Sequence, residues 1–69
     1  MTYWQWKKIL KHYFIGDNII LEYVKSGERK KIKGGIAQLS TTGISVFIFP
    51  GFQKRKFFSY ERVRDISLI

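Results

Sequence analysis

The sequence predicts a mainly β domain, in which an N-terminal α-helix precedes five short antiparallel strands that close into a small β-barrel. Three observations carry this. Apolar residues recur with a helical period over residues 2–14 and with a period of two from Ile19 onward. Turn-forming residues interrupt the second part at Gly16-Asp17-Asn18, Ser26-Gly27, Thr41-Thr42-Gly43 and Pro50-Gly51. A chain of 69 residues holds one small domain, and one helix cannot cover both faces of an open five-stranded sheet. Closure removes most of the exposed edge and buries one strand residue in two.

The helix is expected over residues 2–14. At 100° per residue Tyr3, Trp6, Ile9, Leu10, Tyr13 and Phe14 share one broad face, and Lys7, Lys8 and Lys11 lie opposite with Trp4 among them. Thr2 is the expected N-cap and Gly16 the expected C-cap. The first strand, residues 18–25, is β-branched and aromatic, and Ser26-Gly27 before Glu28 signals a hairpin. The second, residues 29–40, contains Gly34-Gly35, a pair that predicts a bend or bulge and lets one strand serve both halves of a barrel. Residues 43–49 form the most apolar run and the strand expected to be most buried. Residues 55–60 and 63–68 complete the set, with a tight or 3₁₀ turn at Ser59-Tyr60-Glu61-Arg62. There is no internal repeat, linker or low-complexity tract, so residues 1–69 are read as a single domain.

Composition narrows the function classes. The chain has no Cys and a single His, which excludes a disulfide framework, a thiol nucleophile and a multi-His metal centre. Hydrophobic residues make up 45% of it, too many for a solvated, disordered polymer. Thirteen Lys and Arg against five Asp and Glu give a net charge of +8, which selects an anionic partner. Lys7 and Lys8 follow Trp4 and Trp6, the reverse of a signal peptide, and the longest uncharged stretch, 34–53, is too polar for a bilayer span. The expectation is a cytoplasmic protein.

The pattern Ile19-x-Leu21-x-Tyr23, the turn at Gly27, Ile32-x-Gly34-x-Ile36 and the closing Val63-x-x-Ile66 resemble the Sm-like superfamily of SH3-type barrels, which includes the bacterial RNA chaperone Hfq. The resemblance covers residues 18–69 and the position of the helix. The stretch from Phe58 to Ile66 is also similar to the YolD-like branch, found on firmicute and phage-type replicons, and to the WYL domain. What the resemblance implies is a five-stranded barrel that binds nucleic acid, with a phage- or plasmid-encoded regulator and a ring-forming homo-oligomer among the forms it admits. It does not transfer a site. Ser40 stands where Sm proteins usually carry an Asp, Tyr60-Glu61 where Hfq carries a Lys-His pair, and the YolD-like N-terminal motif is absent.

Three basic clusters are candidate sites. On the helix, Lys7, Lys8 and Lys11 would hold phosphates while Trp4 stacks on a base or sits at a lipid interface. In the second strand Arg29, Lys31 and Lys33 alternate with Lys30 and so share one face, spaced by roughly 6.6 Å, of the order of the phosphate repeat along one nucleic-acid strand. The third, Lys54-Arg55-Lys56, is surrounded by Phe52, Phe57, Phe58 and Tyr60, with one of Phe57 and Phe58 reserved for the core. Cations interleaved with flat rings suit single-stranded nucleic acid. The ordinary alternatives are a solvated helix face, an edge protected by lysines, and aromatics turned inward.

Catalytic chemistry is poorly represented. Among Asp17, Glu22, Glu28, Glu61 and Asp65 the one pair at useful spacing, Glu61 and Asp65, flanks Arg62 and Arg64 and is expected in exposed ion pairs. His12 is expected on the exposed helix face, and the glycines form no phosphate loop before a helix. The reading is therefore a non-enzymatic, cofactor-free, regulatory binder of RNA or single-stranded DNA. The alternative is a small interaction module for an acidic protein partner, and membrane association through the helix is a weaker third.

Overall fold

The computed structural model describes residues 1–51 and 53–69. Its element order is α1 (Tyr3–His12), β1 (Asn18–Lys25), β2 (Glu28–Leu39), β3 (Gly43–Ile48), β4 (Lys54–Ser59), the 3₁₀ turn η1 (Tyr60–Arg62) and β5 (Val63–Leu68). The fold is mainly β, with one N-terminal helix and one five-stranded antiparallel sheet of order β4-β3-β2-β1-β5. The sheet is not closed, and β4 and β5 are its edges.

α1 starts where the sequence places it. The Thr2 hydroxyl accepts from the Gln5 N–H at 3.2 Å, and the Gln5 side chain accepts from the Thr2 N–H at 2.9 Å, a complete capping box. Its end is earlier than expected. The helix stops at His12, and Tyr13, in extended conformation, is the C-cap in place of Gly16. Two bonds, one tertiary and one local, compete with the helical continuation. The Tyr13 hydroxyl donates to the Ile66 carbonyl at 2.9 Å, and the Phe14 N–H donates to the Asp17 carboxylate at 2.9 Å. Phe14 consequently leaves the helix face and is 67% exposed, while Trp6 is fully buried and Ile9, Leu10 and Tyr13 are half-buried. Gly16, at φ +97°, serves the following turn, and its N–H donates to the Ile36 carbonyl at 2.9 Å.

The β1–β2 hairpin closes through Ser26 and Gly27, both left-handed at φ 53° and 78°, with Lys25 paired to Glu28. Two positive φ values in a two-residue loop suit the twist of the strands. β2 then divides its work. Glu28 to Gly35 pair with β1, and Gly34 to Leu39 pair with β3, so only Gly34 and Gly35 pair on both sides. A register irregularity between Ile36 and Gln38 adds to the bend. A Cβ on Gly34 would meet the Phe47 carbonyl oxygen and lie 2.5 Å from Val46 Cγ1. The backbones approach there because Gly34 has no side chain.

Ile19, Leu21 and Tyr23 of β1, Ile36 of β2, Ile44 and Val46 of β3, Phe58 of β4, and Val63 and Ile66 of β5 turn inward and form the core with Trp6. The Trp6 indole N–H donates to the Ser40 carbonyl at 2.8 Å, and its ring stacks on Tyr60 with centroids 6.4 Å apart. Tyr23 and Phe58 meet at 4.6 Å although β1 and β4 are not neighbours in the sheet, so the sheet is strongly curled. The bond from Trp6 to Ser40 sets the helix against the β2–β3 turn. No helix among the described residues is long and apolar enough to cross a membrane.

Candidate functional site

Residues paired across antiparallel strands project to the same side of the sheet, so the register assigns each basic residue to a face. Arg29, Lys31 and Lys33 pair with Val24, Glu22 and Ile20, which alternate with the buried residues of β1. All three cations therefore lie on the outer face and are exposed. On β3 the outer positions are Ser45 and Phe47. Phe47 pairs with Gly35 on one side and Arg55 on the other, and the Phe49 N–H donates to the Lys33 carbonyl at 2.9 Å. On β4 the outer positions are Arg55 and Phe57, the latter 50% exposed. Two side-chain contacts agree with this assignment. The Arg55 guanidinium donates to the Gln38 side-chain carbonyl at 2.9 Å, and Arg29 lies 3.8 Å from Glu22.

The register thus puts Arg29, Lys31, Lys33 and Arg55 on the same side of the sheet as Phe47 and Phe57. Gly35 adds no side chain beside Phe47. The acids of this face, Glu22 and Asp65, pair with each other across β1 and β5, away from β3 and β4. The Arg29–Glu22 contact is the one ion pair among the described residues. Phe47 and Phe49 belong to the run expected to be the most buried, and they are half-buried. Their alternation with Ile44, Val46 and Ile48 was the signal that separates the two faces.

The third cluster does not stay together. Lys54 and Lys56 pair with Ile48 and Val46, on the side of the core, while Arg55 faces outward. The Lys56 ammonium lies over the Phe58 ring at 5.5 Å and the Tyr23 ring at 5.9 Å. Phe58 is the inward aromatic of its pair and is fully buried. Tyr60 is half-buried between Trp6 and Tyr3, the latter edge-on at 5.8 Å, so its ring is part of the packing under the helix. Phe52 lies outside the described residues.

The helix cluster forms a separate surface. Trp4 is 73% exposed, and the Lys7 ammonium sits over its ring at 5.2 Å and over Tyr3 at 5.7 Å. Lys8 borders a shallow cleft with Met1, Gln5, Ile9 and Arg64, and Lys11 is exposed in the last turn. His12 is exposed beside it. The Met1 amino group holds the start of the helix against β5 by donating to the Val63 carbonyl at 2.8 Å.

The ion pairs expected of Glu61 and Asp65 with Arg62 and Arg64 do not form among the described residues. Arg62 instead donates its Nε–H to the Val24 carbonyl at 3.3 Å and lies over the Tyr23 and Phe58 rings. The chain matches no protein-family model and no curated protein.

Proposed function

We propose that the chain is a non-enzymatic, cytoplasmic regulatory protein of the small-barrel, Sm-like type that binds RNA or single-stranded DNA on the outer face of β2, β3 and β4. The observation that carries this reading is the register. It sets Arg29, Lys31 and Lys33 of β2 and Arg55 of β4 on the same side of the sheet as Phe47 of β3 and Phe57 of β4. Cations take phosphates and ring faces take unpaired bases, whereas duplex reading needs a helix or ribbon shaped to a groove. The contact between Tyr23 and Phe58 supports the small-barrel part of the reading, because it shows the sheet curled until β1 and β4 side chains meet.

Four phosphate contacts on a single strand give a logarithmic salt slope of about −2.8, so affinity falls roughly fiftyfold between about 50 and 200 mM salt. An anisotropy titration against single-stranded RNA and DNA at those salt concentrations tests this. Binding with that slope supports the proposal. No salt-dependent binding to either strand refutes it, and a pull-down whose partner survives nuclease would then turn the reading toward an acidic protein.

A further inference from the structure

By sequence Arg62 is an ion-pair partner, and neither Tyr23 nor Lys30 is a candidate site residue. In the folded chain Arg62 comes together with Lys56 around the Tyr23 and Phe58 rings, and Lys30 stands opposite Tyr23. The Lys56 ammonium and the Arg62 guanidinium are each within about 6 Å of both the Tyr23 and the Phe58 ring centroids, at 5.9 and 5.5 Å for Lys56 and 6.0 and 5.9 Å for Arg62. Both cations are half-buried. Lys30 stands opposite Tyr23 in the β1–β2 pairing, and Lys54 precedes Lys56 by two residues, so both project to the same side. Glu28 is the acid nearest this group on β2, and it makes no ion pair among the described residues.

Two cations drawn to one pair of rings repel each other, and the rings offset only part of that cost. No carboxylate of the described residues neutralises either one. The Arg62 Nε–H is committed to the Val24 carbonyl, which fixes the guanidinium plane and leaves its terminal nitrogens as a fork of donors. The Tyr23 hydroxyl makes no hydrogen bond to a described residue. Since no buried polar side-chain atom among the described residues lacks a partner, that hydroxyl is open to solvent. The guanidinium fork and the ammonium over these two rings are donors with no carboxylate partner among the described residues.

The geometry points to a second anion site, formed by Lys56, Arg62 and Tyr23 with Lys30 at its rim, that takes a phosphate group, either free or at the end of a nucleic-acid strand. It lies on the opposite side of the sheet from the outer face and stands whether or not that face binds nucleic acid. The obvious alternative is that both long side chains only cover ring surface with their stems.

The test is a titration of the folded protein with inorganic phosphate at constant ionic strength, followed by NMR on the Tyr23, Val24 and Arg62 signals. The expected result is a saturable shift confined to these residues, weakened about tenfold or more in both Lys56→Gln and Arg62→Gln. Lys30→Gln, at an exposed position, gives a smaller loss and keeps the test valid if a core-side variant unfolds. Lys31→Gln on the outer face leaves the response unchanged. A 5′-phosphorylated oligonucleotide that outbinds its 5′-hydroxyl counterpart, with the gain lost in Arg62→Gln, identifies the strand end as the source. Equal binding of the two, with the phosphate response intact, identifies the free anion. A shift that is linear and spread over every basic residue, or one that survives both variants, overturns the proposal.

Discussion

Removing two charges from the outer face separates a specific surface from a merely basic protein. Lys31 and Lys33 are exposed on β2, opposite Glu22 and Ile20, and neither packs in the core. The double substitution Lys31→Gln and Lys33→Gln therefore leaves folding intact, with any stability change inside about 0.5 kcal/mol. If the four cations of the face each take one phosphate, losing two halves the salt slope from about −2.8 to about −1.4. At about 0.1 M salt each lost contact removes roughly 0.7 logarithmic units, so affinity falls about 25-fold, or about 1.9 kcal/mol. The assay is fluorescence anisotropy with a short single-stranded oligonucleotide across a salt series. The matched control is Lys8→Gln with Lys11→Gln on α1, which removes the same net charge from a separate surface. Equal losses in the two variants would refute the assignment, since they would show a response to net charge alone. So would an unchanged slope in the β2 variant.

Two further substitutions test the scaffold that presents this face. Gly34→Ala places a Cβ against the Phe47 carbonyl oxygen and Val46 Cγ1, and two paired strands cannot separate without breaking their ladder. A loss of about 3 kcal/mol is expected in chemical denaturation, at the upper end of overpacking costs. Trp6→Phe removes the bond to the Ser40 carbonyl and part of a fully buried side chain, and should cost about 2 to 3 kcal/mol by the same measurement.

Most of the fold was legible in the sequence because local signals and the tertiary structure agree. Thr2 and Gln5 cap the helix, Ser26-Gly27 closes a two-residue hairpin, and β1 alternates in the way its burial requires. Gly34 marks the bend because a backbone approach, invisible in the chain, needs a residue without Cβ there. The helix terminus was misplaced for a different reason. Tyr13 fits the helical period, but its hydroxyl bonds a carbonyl of β5, 53 residues away, and no local pattern encodes that preference. The candidate site was legible by composition and not by face. Phe47 looked like core because it sits in the most apolar run, yet it pairs with Arg55 on the outer side of the sheet. Arg62 looked solvated because its sequence neighbours are charged, whereas its side chain turns back over β1.

The run Lys54-Arg55-Lys56 shows why contiguous charge in a sequence is not one surface. On a strand, consecutive side chains point to opposite sides. Arg55 bonds Gln38 on the outer face, while Lys56 lies over the Phe58 and Tyr23 rings on the other. One residue apart in the chain, these cations meet different ligands. Single substitutions separate the surfaces that the sequence merges. Arg55→Gln is expected to weaken oligonucleotide binding about fivefold at about 0.1 M salt, the share of one phosphate contact, with the phosphate response of Tyr23 unchanged. Lys56→Gln is expected to abolish most of that response while the affinity for a 5′-hydroxyl oligonucleotide stays within about twofold, because the residue removed does not face the strand. Anisotropy and NMR on the same two proteins read both effects. Parallel losses in the two assays would mean that one ligand path crosses the β4 edge and that the two faces act as one site.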